Sequence, residues 1–335
     1  MDRDQRLNRG WADLSGVVYG VHVRGGLPEA FRPYLQPTGG RFEPAEALAL
    51  SYRLLEEMPE VEEIWASEGK GPGGTARFAL FRQPDGFGLT VSSDGRGVFR
   101  CTPSEVRIEW AAQGAGAPHY FFSYALPLWL EARGVPVLHG SAVSLGGRAI
   151  AFVGPSGVGK SVLCAELLRL GFGYLADDGL ALRRGRGGEW RCSSGPPLLR
   201  LWPSGLERRL EIAADDLPKV HEALEKRQVL LAGEGEGSGP VDGLPLAAVY
   251  VLRRRPAPGG SVRTTAGGPR DALVRLLEHG VAAAPAAALG LARQRLELLA
   301  DVVEKVPVRR LSFPSGSDSA PRIRQAILRD LEDMS

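Results

Sequence analysis

The stretch Arg148–Leu170, RAIAFVGPSGVGKSVLCAELLRL, decides how this chain is read. An apolar run, Ala149–Val153, leads into eight residues, Gly154-Pro155-Ser156-Gly157-Val158-Gly159-Lys160-Ser161, that match G-x-x-x-x-G-K-[ST] at every position. The chemistry asks for these residue types. Glycines let the backbone curl so that successive N–H groups point inward at phosphate oxygens. A helix predicted over Lys160–Leu170, ending at Gly171, adds the positive end of its dipole to the same anion. Lys160 would reach the β- and γ-phosphates and the Ser161 hydroxyl would bind a cation, so ATP and Mg²⁺ are the expected ligands.

Upstream, two apolar runs flank Gly146-Gly147, a hairpin signal, and His139 stands just before the first of them. That placement puts His139 beside the phosphates, although a lone histidine also serves well as a structural residue. Downstream, Tyr174–Asp178 is predicted as a strand that delivers Asp177 and Asp178. Strand, loop, helix, strand is the unit of a phosphate-binding α/β domain, and ligand groups gather at the carboxyl ends of such strands. One carboxylate would hold the metal and the other would accept the proton of an attacking hydroxyl. Asp-Asp-Gly also suits a plain turn, and the residues do not say which aspartate does which.

Further strands are predicted at Ala247–Leu252 and Val308–Phe313, with helices at Pro269–His279, Leu289–Lys305 and Pro321–Leu331. The leucines of Leu289–Lys305 suit either a core or a contact between subunits of a homo-oligomer. GEGEGSGP, Gly233–Pro240, reads as a mobile loop. Residues 1–115 read as a small mixed α/β module, an antiparallel sheet with one covering helix at Pro44–Met58 and strands at Ala76–Arg82, Phe87–Ser92 and Val106–Trp110. A linker, Ala112–Pro118, and a helix from His119 to Arg133 open the second domain, residues 119–335. The fold class expected is α/β for the P-loop part and α+β overall.

Basic residues cluster at Arg200, Arg208, Arg209, Lys226 and Arg227. Arg200 sits inside Leu198-Leu199-Arg200-Leu201-Trp202, where an unpaired charge is costly; a phosphate, an acidic partner or an internal salt bridge would resolve it. Lys226-Arg227 would clamp a γ-phosphate or a substrate carboxylate, or simply form a solvated helix face. His22, His119, His221 and His279 show no ligand spacing and take a structural reading.

The chain has 335 residues, 44% hydrophobic and 24% charged, with a net charge of +2, which argues against bulk attraction to nucleic acid or to an anionic membrane. No basic, aromatic-interleaved patch supports nucleic-acid binding. The longest apolar stretch, Tyr120–Leu130, contains Pro127 and is too short to span a bilayer. MDRDQRLNRGW is too charged for a signal peptide, and Cys101, Cys164 and Cys192 follow no metal or disulfide spacing. A reduced, cytoplasmic protein is expected.

Leu138–Leu182, LHGSAVSLGGRAIAFVGPSGVGKSVLCAELLRLGFGYLADDGLAL, resembles the catalytic core of bacterial HPr kinase/phosphorylase. The likeness rests on His139 ahead of the hairpin, the GPSGVGKS loop and the paired aspartates after an alanine. It implies a P-loop core, similar also to that of phosphoenolpyruvate carboxykinase, that uses ATP and Mg²⁺ to phosphorylate a serine. Lys160 and Ser161 would serve the nucleotide and metal, Asp177 and Asp178 would divide base and metal duties, with Asp178 beside Ser161 as metal ligand, and His139 would support them. The family's L-E-I-R-G signature is absent, so a further metal-binding glutamate is unassigned; Pro196–Ile212, PPLLRLWPSGLERRLEI, stands in its place. PLLRLWP and PVRRLSFP look more like divergent HPr-kinase-related proteins encoded with peptide-modification systems, lasso-peptide kinases among them.

The reading is therefore an ATP- and Mg²⁺-dependent kinase acting on the serine hydroxyl of a peptide, a protein or a small serine-like molecule. Its acceptor would be approached from Pro196–Ile212 and Gly233–Pro240, with Arg200, Lys226 and Arg227 as substrate residues. The alternative is a nucleotide-gated regulatory protein that binds ATP and transfers nothing, with a carboxykinase-like reaction a lesser third.

Overall fold

Along β11 (Arg148–Val153) the side chains alternate between two apolar cores: Ile150 and Phe152 pack in one, Ala149, Ala151 and Val153 in the other. A strand buried on both faces reads as an uninterrupted apolar run, which is why this segment lacks the polar alternation of a half-exposed strand. The computed structural model describes residues 11–37, 46–71, 74–92, 95–111, 116–221, 224–231, 243–258, 260–315 and 319–334. Within them the chain is a mixed α/β structure with three sheets and helices packed between and against them.

The first sheet has eight strands: β1 (Trp11–Val18), β2 (Val21–Pro28), β3 (Glu46–Leu55), β4 (Glu63–Gly71), β5 (Gly74–Gln83), β6 (Gly86–Ser92), β7 (Arg96–Cys101) and β8 (Glu105–Ala111), in the order β1-β2-β3-β8-β7-β6-β5-β4. The helix expected over Pro44–Met58 is not there. Strand β3 occupies that segment and runs parallel to both β2 and β8, so the sheet is mixed and not purely antiparallel. Glu, Ala and Leu favour a helix locally, but Leu48 and Leu50 are two apart, and both are buried on the same face beside Val21 and Val23. The sheet is covered by a continuous helical stretch, Ala117–Tyr120, Phe121–Ala125 (wound as a π turn) and Leu126–Ala132, whose Phe121, Phe122 and Leu126 share its core. It ends, as expected, at Gly134, with φ +76°.

The second sheet carries the site. β12 (Gly173–Ala176), β10 (Gly140–Leu145), β11, β18 (Leu244–Pro258), β14 (Trp190–Cys192), β13 (Leu180–Arg184) and β9 (Val137–Leu138) lie in that order, and β20 (Val308–Ser315) pairs with β18 and β19 (Arg263–Ala266). β10 and β11 form the expected hairpin, turning at Gly146 and Gly147 with φ +55° and +72°. β10 is antiparallel to both β11 and β12, while β11, β18 and β20 are parallel. The carboxyl ends of β12, β11, β18 and β20 therefore share one edge, together with the start of β10.

Helices Lys160–Arg169 and Ser319–Glu332 cover one face through Leu163, Leu167, Ile323 and Ile327. Pro269–Glu278 and Ala292–Lys305 cover the other through Leu276, Leu299 and Val302. Each such fully buried side chain contributes about 1.5–3 kcal/mol. The helix expected from Leu289 begins at Ala292 and is preceded by an unforeseen short helix, Ala283–Ala288; its Leu296 is exposed while Leu299 is buried. A third sheet joins β15 (Leu198–Leu201), from the segment Pro196–Ile212, to β17 (Leu224–Leu230) and β16 (Lys219–His221), with Lys226 and Arg227 on a strand and not a helix. Gly233–Pro240 lies outside the described residues. No helix among them is long and apolar enough to cross a membrane.

The covering helix of the first sheet is tied to the second half of the chain by an ion pair between Glu131 and Arg295, both buried. Burial pushes the Glu131 carboxyl up, against the opposing pull of Arg295 and the Val137 N–H that donates to it at 2.9 Å. Arg295→Met would strand that carboxylate. It should lower unfolding stability by about 3–5 kcal/mol in urea titration, and adding Glu131→Leu should restore much of the loss.

Candidate functional site

The shared strand edge opens on a cavity of about 360 Å³. The loop after β11 forms its floor. Gly157 and Gly159 take φ of +79° and +105°, values that side chains with a Cβ resist, so the glycines are needed for the loop's path. Val158 turns inward onto the core beneath, and its N–H donates to the Pro155 carbonyl at 3.2 Å, which anchors the loop. Ser156, Gly157, Gly159, Lys160 and Ser161 line the cavity, and Gly154 and Pro155 set the loop's start. The Lys160 ammonium, 6% exposed, donates to the carbonyls of Gly154 at 2.8 Å and Pro155 at 3.2 Å. Burial lowers its pKa, against Asp177 and Asp178, which raise it.

Asp177 and Asp178 follow β12 and face the loop across the cavity. Asp177 is buried; it accepts from the Ser141 hydroxyl at 2.6 Å and from the Arg200 backbone N–H at 3.1 Å, and Ser161 also bonds to it. Burial, with Asp178 beside it, pushes its carboxyl up despite those donors. Asp178 has φ +69°, in the left-handed region that aspartate tolerates better than most residues and that tends to mark sites and turns. Its carboxylate, 27% exposed, accepts from Arg200 Nη1 at 2.6 Å and lies 3.5 Å from His139 Nδ1. Burial would raise this carboxyl, but Arg200, then His139, Lys226 and His119, hold it well below its usual range. His139 Nδ1 is also 3.1 Å from the Asp178 carbonyl, which leaves the ring tethered to that turn.

No protein-family model and no curated protein sequence matches the chain. Among solved structures it is similar to the HPr(Ser) kinase/phosphatase from Coxiella burnetii, at a TM-score of 0.31 and 12% identity over 59% of this chain and 92% of that one.

Arg200 is buried on β15 and pairs with Asp178; its Nη1 also donates to Ser123 at 2.6 Å, and its guanidinium lies 5.8 Å from the Tyr34 ring centroid. The first sheet and the helices on it thus back the site: Tyr34 and Ser123 buttress Arg200, and Tyr19, at the β1–β2 turn, meets Gly179 closely enough that a Cβ there would lie 2.7 Å from its hydroxyl. Lys226 faces the cavity, whereas the adjacent Arg227 turns away, 3.6 Å from Asp215 and 3.7 Å from Glu225. Strand alternation separates the two.

Among the lining residues that the sequence did not single out are Trp202, Arg254 and Ser315. Arg254 had a signal, since the basic run Arg253-Arg254-Arg255 follows an apolar strand in the position where α/β sheets collect ligand groups. His279, read as structural, accepts from the His139 N–H through its carbonyl at 2.6 Å, and its imidazole pKa is lowered by burial and then by Lys160 nearby.

Arg200→Met should cost roughly 2–3 kcal/mol of stability near neutral pH in magnesium-free buffer, discounted for the partial exposure of Asp178. The sign follows from the depressed carboxyl. Its pairing stabilises the fold fully above the ordinary value of 3.8 and loses that contribution as pH falls through the lower folded value. The gap between wild-type and variant urea midpoints should therefore narrow on acidification and stay constant above about pH 5.

Proposed function

We propose that the chain is an ATP-dependent kinase that transfers the γ-phosphoryl group to an alcohol. The observation that carries this reading is the opposition, across one cavity, of the GPSGVGKS loop with Lys160 to the carboxylates of Asp177 and Asp178. A protein that only binds nucleotide needs the loop; it has no need of a base facing that loop.

In this reading the loop N–H groups and the start of helix Lys160–Arg169 hold the phosphates. Lys160 exchanges its two carbonyl partners for β- and γ-phosphate oxygens and neutralises charge that builds on them during transfer. Asp177 takes the proton of the acceptor hydroxyl as its oxygen attacks the γ-phosphorus. The bond from that phosphorus to the β–γ bridging oxygen breaks, and ADP leaves with the electron pair. Ser141 and the Arg200 N–H hold Asp177 in place. Ser161 and Asp178 are hard oxygen donors in the same cavity, and Arg200 keeps Asp178 ionised, so the donor set suits Mg²⁺ bound mainly through water and nucleotide phosphates. Mg²⁺ there would shield the negative charge of the transferring group. His139 orients the Asp178 turn.

Serine as the acceptor hydroxyl remains part of this proposal, as does an acceptor that is a peptide, a protein or a small molecule. Calorimetry with ATP and MgCl₂, followed by transfer of labelled γ-phosphate to a panel of alcohols, tests it. Absence of ATP binding at millimolar nucleotide would sink the reading.

A further inference from the structure

Five cationic side chains line the cavity, and the kinase reading uses only some of them. Lys160 serves the phosphates, and Arg200 is taken by Asp178. Arg254 stands over the loop: its Nη2 would lie 3.9 Å from a Cβ placed on Gly159, so it belongs with the nucleotide phosphates. Arg208 and Lys226 remain, and neither has an acidic partner among the described residues. They share a wall with Trp202, whose ring centroid is 5.9 Å from Lys226 Nζ and which is 49% exposed. The wall is close to the reacting centre. A Cβ on Gly205 would come within 2.9 Å of Val162 Cγ2, in the first turn of the phosphate-facing helix, and Lys226 acts electrostatically on both Asp178 and Lys160.

Two cations on one wall of the cavity, neither held in an ion pair, offer a seat for an anionic group of a ligand. The nucleotide already has the loop amides, the helix terminus, Lys160 and Arg254. We infer that Trp202, Arg208 and Lys226 form the acceptor subsite, and that the acceptor is a small alcohol bearing a carboxylate or phosphate next to the hydroxyl that is phosphorylated. Lys226 and Arg208 grip the anionic group, Trp202 packs on the carbon skeleton, and the hydroxyl is left pointing at Asp177. A volume of about 360 Å³, with its charge concentrated inside, suits a small ligand beside the phosphates better than a polypeptide segment. The inference rests on the kinase reading and narrows it.

Glycerol, glycerate and glycerol 3-phosphate share a hydroxyl and differ in the charged group, so label transfer from ATP to each is the test. The wild-type protein should use glycerate or glycerol 3-phosphate with kcat/KM about tenfold or more above glycerol, and the better of the two identifies the anion. Lys226→Met and Arg208→Met, both at accessible positions, should bring that ratio close to one while ATP affinity by calorimetry changes by less than about twofold. Equal use of glycerol, equal loss of ATP affinity in the variants, or transfer to a serine peptide alone overturns the subsite. So does transfer to none of these with ATP bound. In each of those cases ATP binding still stands; failure of ATP to bind at all removes the kinase reading itself.

Discussion

Lys160→Ala is expected to lower phosphoryl transfer by about a thousandfold or more, because a charge aimed at the transferring group in a water-poor site is among the largest single contributions to such a reaction. ATP affinity should fall as well, by a smaller factor, since the loop amides and the helix terminus stay in place. Stability should not fall with activity. Lys160 is buried and its pKa is lowered by that burial, so the fold disfavours its charged form. The unfolded chain binds that proton more readily than the folded one, so the charge on the lysine costs stability at neutral pH and offsets its two hydrogen bonds to the loop carbonyls. Lys160→Met, which keeps the apolar stem, should therefore melt at the same temperature as wild type or higher while showing no transfer. A variant that lost both together, or one that kept transfer, would contradict the assigned role.

The parts of the fold that could be read from the sequence are those whose cause is local. The β10–β11 hairpin turns at two glycines, helix Lys160–Arg169 starts and stops at glycines, and the strands expected at Ala247–Leu252 and Val308–Phe313 lie within β18 and β20. Strand β3 is different. Its residues favour a helix, and only its two neighbours, β2 on one side and β8 some fifty residues later on the other, supply the backbone partners that make it a strand. The assignment of Lys226-Arg227 to a helix face failed for the same reason: β15 and β16 pair with that segment from both sides.

The site divides along the same line. Gly154–Ser161 is contiguous, so its pattern is visible whole, and Asp177 and Asp178 announce themselves by following an apolar strand. Nothing local connects Ser123 and Tyr34 with Arg200, or Ser141 with Asp177; the register of β10 against β12 and the packing of the first sheet bring them together. Arg200 shows the consequence. The sequence demanded a partner for a charge in an apolar strand and offered a phosphate, an acidic partner or, first among them, an internal salt bridge; the fold supplies the salt bridge, to Asp178.

Asp177→Asn separates a catalytic carboxylate from a structural one. Replacing a general base should reduce kcat by about 10²–10⁴-fold, with ATP affinity close to wild type because the phosphate-holding groups are untouched. The substitution is mild for the fold. The asparagine oxygen can keep accepting from the Arg200 N–H, and its amide can donate to the Ser141 hydroxyl, which turns to accept. Because burial and Asp178 push the Asp177 carboxyl up, its ionised form is disfavoured in the folded state, and a neutral isostere should hold or raise stability at neutral pH. Asp178→Asn should behave otherwise: it releases the buried Arg200 from its carboxylate, so it should lose stability as well as the Mg²⁺ dependence of ATP binding. Single-turnover transfer, calorimetry at varied MgCl₂ and urea titration on both variants read out the three quantities separately. Full transfer by Asp177→Asn would remove it as the base, and a loss of Mg²⁺ dependence in that variant and not in Asp178→Asn would exchange the two roles.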